Sequence, residues 1–88
     1  IHGEGKVGAM VENNCETDFV AKTDEFKNLM REVSMQVAAM NPKDVDELLK
    51  QDYIRDSGKT IEQLVKETIA KVGENIQVKR FVRFELGN

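Results

Sequence analysis

A single cysteine, Cys15, rules out an internal disulfide, and a single histidine, His2, with no cysteine cluster leaves no ligand set for a structural zinc. No apolar run approaches the roughly 18 residues of a membrane span. No signal peptide is present either, so the chain is expected in a reducing compartment, the cytoplasm, with no membrane partner. There is no glycine-rich phosphate loop followed by Lys-Ser or Lys-Thr, and no carboxylate and histidine set at metal spacing. Neither a cofactor, a metal nor a catalytic centre is expected. Repeats and low-complexity tracts are also missing. What remains is 88 residues, 40 % hydrophobic and 33 % charged, the make-up of one small domain. A chain of this size buries only about 60 to 65 % of the surface that its unfolded form exposes. Without a staple its margin is thin, and pairing with another chain is the remaining route to stability. The sequence opens on Ile1 rather than methionine, as a fragment or processed product does.

Thirteen basic against sixteen acidic residues give a net charge of −3, the wrong sign for a phosphate-backbone footprint, so no direct nucleic-acid partner is expected. Residues 1–44 carry the whole excess and residues 45–88 are balanced, so neither half is a charged tail.

Gly3-Glu4-Gly5 has the composition of a tight turn, and Val7, Ala9 and Val11 then alternate with Gly8, Met10 and Glu12. This predicts a hairpin with Ile1 and His2 at the end of its first strand and Val7 to about Asn13 as its second. From Thr23 to Asn41, Phe26, Leu29, Met30, Val33, Val37 and Met40 form one stripe of a 3.6-residue helix, predicting a core face. Thr23 suits the N-cap, Asp24 and Glu25 complement the positive dipole end, and Pro42 stops the helix. Asp44 to about Lys50 predicts a short second helix, and Asp52 to Lys59 a loop. Thr60 and Gln63 fit a capping box for a third helix with the stripe Ile61, Leu64, Val65, Ile69 and Val72, ending where Gly73 supplies a left-handed residue. Ile76 to Leu86 is rich in strand formers, with Val78, Val82, Phe84 and Leu86 expected on one face and Phe81 on the other. The fold class is therefore α+β, a three-stranded antiparallel sheet with helices packed on one face.

Most candidate functional residues have a plain structural reading beside them. Cys15 with His2 is a formal nucleophile and base, yet no third orienting group is marked, and a lone cysteine at a strand end reads more simply as a small buried hydrophobe. Met30 and Met40 fall on the helix stripe and read as core, while Met35 falls off it. Lys79, Arg80 and Arg83 form either a basic patch or, with Glu85 nearby, an ordinary solvated strand face. Phe19 lies in a polar connection where neither helix nor strand period demands an aromatic. Either it tucks into the core while Thr17 or Asp18 makes a capping or Asx turn, or it is displayed beside Asp18 as a contact pair for another protein.

The run Val11-Glu12-Asn13-Asn14-Cys15-Glu16-Thr17-Asp18-Phe19-Val20-Ala21-Lys22 resembles the signature of bacterial-type translation elongation factor Ts. Ile69-Ala70-Lys71-Val72-Gly73-Glu74-Asn75-Ile76 resembles a second segment of that family, and Arg80 to Gly87 its last strand. The resemblance implies the family's core, or dimerisation, domain across residues 1–88, with the helical module that usually precedes it absent and a short segment between Pro42 and Thr60. It implies a guanine nucleotide exchange factor without catalytic chemistry, whose partner is the GTPase elongation factor Tu in its GDP-bound form. On that likeness Asp18 and Phe19, flanked by Thr17 and Val20, would enter a cleft near the partner's Mg²⁺ site. Val72 and Gly73 match a second contact, and His2 is similar in position to a contact histidine. Short members would rebuild the twofold core of longer ones as a homodimer, sheet against sheet. The alternative from a different class is a structural homodimerisation module with no exchange activity of its own.

Overall fold

The computed structural model describes residues 6–86, which run β1 (Lys6–Cys15), α1 (Asp18–Ala21), α2 (Asp24–Met40), α3 (Val45–Lys50), β2 (Asp52–Tyr53), β3 (Asp56–Thr60), α4 (Ile61–Val72) and β4 (Ile76–Leu86). The class is α+β. Among the described residues the main sheet has two strands, β1 and β4, paired antiparallel, and a second small antiparallel sheet joins β2 to β3. The first strand expected at Ile1 and His2, and its turn, lie outside the described residues.

The helices form for the reasons their sequences contain. On α2 the Thr23 hydroxyl accepts from the Phe26 amide at 3.2 Å, and Phe26, Leu29, Val33 and Val37 are buried along the stripe. Met40 is a correction: it ends the helix beyond Val37, past the last core contact, and is 48 % exposed. The helix terminates on Asn41 in the left-handed region, φ 48°, whose amide donates to the Val37 carbonyl at 3.0 Å. On α4 both halves of the capping box form, the Gln63 amide donating to Thr60 Oγ1 at 3.2 Å and the Thr60 amide to Gln63 Oε1 at 2.8 Å. Gly73 closes that helix at φ 77°, a conformation that costs a side-chain-bearing residue about 1 kcal/mol or more.

Val82 and Phe84 share a face opposite Phe81 as expected, but Val78 does not lie on it with them. The ladder pairs Glu12 with Arg80 but Asn13 with Val78, so Lys79 is an extra residue on β4. One inserted residue exchanges the faces on its two sides. Ile76 and Val78 are buried before it; Phe81, not Val82 or Phe84, packs on the core after it. Arg83 follows Phe81 inward and donates from Nε to the Ala38 carbonyl in the last turn of α2 at 3.1 Å, where a cation complements the helix dipole. Arg80 pairs outward with Glu12 at 2.6 Å and Arg83 with Glu85 at 3.0 Å, so two of the three cations of the basic-patch reading are paired with carboxylates. At the same irregularity the Asn13 side-chain amide is enclosed with neither atom hydrogen-bonded.

The segment expected as a loop is a short hairpin instead, pairing Asp52 with Thr60 and Tyr53 with Asp56. Its own residues are poor strand formers; what holds it is α2. Glu32 and Gln36, one turn apart on that helix, are both buried. Gln36 Nε2 donates to the Asp52 carbonyl at 3.0 Å and to Gln51 Oε1 at 3.1 Å, while Gln36 Oε1 accepts from the Ile54 amide at 3.0 Å. Glu32 accepts from the Tyr53 hydroxyl and from Arg55 Nη1, the latter at 3.0 Å.

Burial, then the hydrogen bond to Glu32 and its charge, push the Tyr53 phenol from 10.0 up to about 12. Above pH 10 the unfolded chain releases a proton that the folded chain keeps, so Tyr53 stabilises fully below that pH and its contribution is lost as pH rises towards 12. Denaturant unfolding between pH 9 and 12 is expected to show a smaller loss of stability with pH in Tyr53→Phe than in the parent chain. Equal slopes would show that the phenol is not held in this way.

Candidate functional site

The β1–β4 ladder ends where Cys15 pairs with Ile76, which places the two turns that leave it side by side. One turn carries Glu16, Thr17 and α1; the other is Gly73 to Asn75, following α4. Two contacts join them across the chain. The Thr17 hydroxyl donates to the Glu74 carboxylate, 3.0 and 2.9 Å from its two oxygens, and the Asn75 amide donates to Glu16 Oε1 at 3.4 Å. Cys15 is half-buried, packs against the core and donates from Sγ to the Thr17 carbonyl at 3.2 Å, so its thiol steadies the same turn.

Within α1 successive side chains point about 100° apart, as 3.6 residues per turn require. Val20 is buried in the core, and Phe19 is 86 % exposed. The reading that tucks Phe19 into the core is therefore overturned, because Val20 takes the inward position of the turn. The capping expectation for Thr17 fails as well. Its backbone has N-cap geometry, φ −138° and ψ 159°, but its side chain makes no cap bond. The turn is held instead by the Ala21 amide to the Thr17 carbonyl at 3.4 Å, and by the Thr23 amide and hydroxyl on the Val20 carbonyl at 3.0 and 2.7 Å.

Thr17, Asp18 and Phe19 are exposed on one of the joined turns and Gly73 on the other, with Val20 and half-buried Val72 packed in the core. His2 lies outside the described residues. Glu16, Glu74 and Asn75, which brace the arrangement, carry no pattern in the sequence that marks them. Among the described residues no three His, Cys, Asp or Glu side chains converge as a metal site needs, and no helix is long and apolar enough to cross a membrane. An aromatic beside a carboxylate on a braced turn is equipped to grip a protein surface.

The outward face of the β1–β4 sheet is a second exposed feature. Met10 stands opposite Val82, 69 % and 59 % exposed, and the Phe84 ring, 42 % exposed, lies over Gly8, where a Cβ would come within 2.5 Å of it. Met10, Val82 and Phe81 line a depression of about 340 Å³ together with the paired Glu12 and Arg80.

A family model described as Elongation factor TS matches residues 16–88, which takes in both turns and every described helix and strand except β1. The chain belongs to the elongation factor Ts family. Elongation factor Ts of Thermoanaerobacter sp. strain X514 is 42 % identical over 132 aligned positions, which cover 99 % of this chain and 65 % of that protein. Elongation factor Ts of Coprothermobacter proteolyticus is also 42 % identical, covering 99 % of this chain and 67 % of its own length. Elongation factor Ts of Nostoc sp. strain PCC 7120 is 49 % identical over 82 residues, 93 % of this chain but 26 % of the relative. The chain therefore spans about two thirds or less of these elongation factor Ts proteins. Two of the alignments are longer than the chain itself, so those relatives carry internal residues that this one lacks.

Proposed function

We propose that the chain is a core domain of a guanine nucleotide exchange factor of protein biosynthesis, which binds GDP-loaded elongation factor Tu and promotes GDP release. The observation that carries this reading is the displayed Asp18–Phe19 pair on a braced turn, in a chain of the elongation factor Ts family. Phosphates and Mg²⁺ are what hold a nucleotide in a GTPase. A wedge that binds better to a form with that site disturbed shifts the population towards release without any chemistry of its own. By linkage, whatever the factor costs the nucleotide the nucleotide costs the factor, and typical couplings are about 1–3 kcal/mol. Thr17, Asp18, Phe19, Val20, Val72, Gly73 and His2 form the proposed contact set. The partner is a protein, in keeping with a net charge of −3, and the setting is the cytoplasm.

The outward sheet face supports a homodimer, in which Met10, Val82 and Phe84 of two copies cover one another. Two experiments test the reading. Adding the chain to elongation factor Tu loaded with fluorescent GDP is expected to accelerate release in proportion to concentration; no acceleration at high micromolar concentration would leave only the structural-module alternative. Sedimentation at several concentrations is expected to show a dimer that Val82→Glu converts to monomer. A monomer throughout would remove the homodimer while leaving the wedge.

A further inference from the structure

We infer that Glu74 is a positioning residue for the Asp18–Phe19 turn, acting through the Thr17 hydroxyl; this rests on the exchange reading above for its functional half. The helix that carries Phe19 has four residues, far below the length at which a helix is stable by itself. Its N-cap hydroxyl, which ordinarily accepts from an amide of its own helix, donates instead to a carboxylate 57 residues away. The acceptor follows Gly73, whose left-handed backbone turns the chain at the end of α4 and so sets where Glu74 stands. Glu16 repeats the link in the opposite direction through the Asn75 amide. The wedge is thus oriented less by its own helix than by a clamp to the turn after α4, which itself carries part of the proposed contact set.

Such a clamp acts on the fraction of molecules whose wedge is correctly aimed. If that fraction falls, apparent affinity falls in proportion while the maximal rate does not. Glu74→Ala is therefore expected to raise the concentration giving half-maximal GDP release by about five-fold, the effect of losing one hydrogen bond, with the maximal rate unchanged. Glu74→Gln keeps a carbonyl acceptor and is expected to restore most of the loss. In the free chain the double variant of Thr17→Val with Glu74→Ala is expected to loosen the turn no more than either single variant, because both remove one interaction. Thermal unfolding should move by no more than about 3 °C, since the contact is on the surface.

Amide hydrogen exchange of the free chain supplies a readout independent of elongation factor Tu. Exchange at the amides of residues 21–23, which donate to the Thr17, Phe19 and Val20 carbonyls, is expected to quicken in Glu74→Ala and Thr17→Val and to stay slow in Glu74→Gln. Unaltered exchange in Glu74→Ala would overturn the inference even where nucleotide release is stimulated. Glu74→Gln as weak as Glu74→Ala would also overturn it, showing that the charge meets the partner directly. A parent chain that stimulates no release, with hydrogen exchange at residues 21–23 still responding as expected, would refute the nucleotide-exchange reading and leave the clamp standing.

Discussion

Phe19→Ala is expected to cut stimulation of GDP release by about 30-fold, the consequence of removing a contact worth about 2 kcal/mol at the centre of a protein interface. Asp18→Ala combined with it is expected to abolish stimulation. Thermal unfolding should hardly change, because Phe19 is 86 % exposed and leaves no cavity when truncated. The neighbouring residue gives the opposite pattern. Val20 is buried beneath the turn, and Val20→Ala removes two methyl groups from the core, a loss of about 2 kcal/mol with the cavity included. Adjacent residues on one turn thus separate binding from stability. Measuring nucleotide release and the unfolding midpoint for both variants checks it. If Phe19→Ala lowered the midpoint as much as Val20→Ala, the aromatic would belong to the core after all; if it stimulated release like the parent, the wedge would lie elsewhere.

That separation is the part of the site the sequence could not settle. Phe19 stood out because no period asked for it, but its direction depended on whether Val20 or Phe19 took the inward place in a four-residue turn, and both are apolar. Gly73 was legible, since a glycine after a helical stripe has one common backbone use, and the structure places it at φ 77°. Glu74 and Glu16 were not, because their partners lie 57 and 59 residues away and a surface carboxylate has no periodic signature. The same division holds for the fold. The stripes and caps of α2, α3 and α4 are local, and reading them locally recovered those helices. The bulge at Lys79 is a property of two strands in register, so parity along β4 puts Val78 with Val82 and Phe84, from which the bulge separates it. Glu32 and Gln36 are polar and outside the apolar stripe of α2, and only the segment that crosses them makes them interior.

Gln36→Ala is expected to be the most damaging single change at a polar position, lowering stability by about 3–5 kcal/mol. The Gln36 side chain is fully buried and satisfies three groups, the Asp52 carbonyl, the Ile54 amide and Gln51 Oε1. Truncation strands two backbone groups of the β2–β3 hairpin, each costing about 1–3 kcal/mol if unpaired, and opens a cavity as well. Against a total of roughly 5–10 kcal/mol for a domain this small, that is about half the margin, and the unfolding midpoint should fall by roughly 15 °C or more. Gln36→Leu separates the two causes, since it fills most of the space but makes no hydrogen bond; it is expected to recover the cavity part and still lose about 2 kcal/mol. Hydrogen exchange should quicken first across residues 51–60, the segment whose strand propensity is too weak to hold it without α2. Were Gln36→Leu as stable as the parent, the hairpin would be held by Glu32 through Tyr53 and Arg55 alone, and Tyr53→Phe would then become the change that releases it.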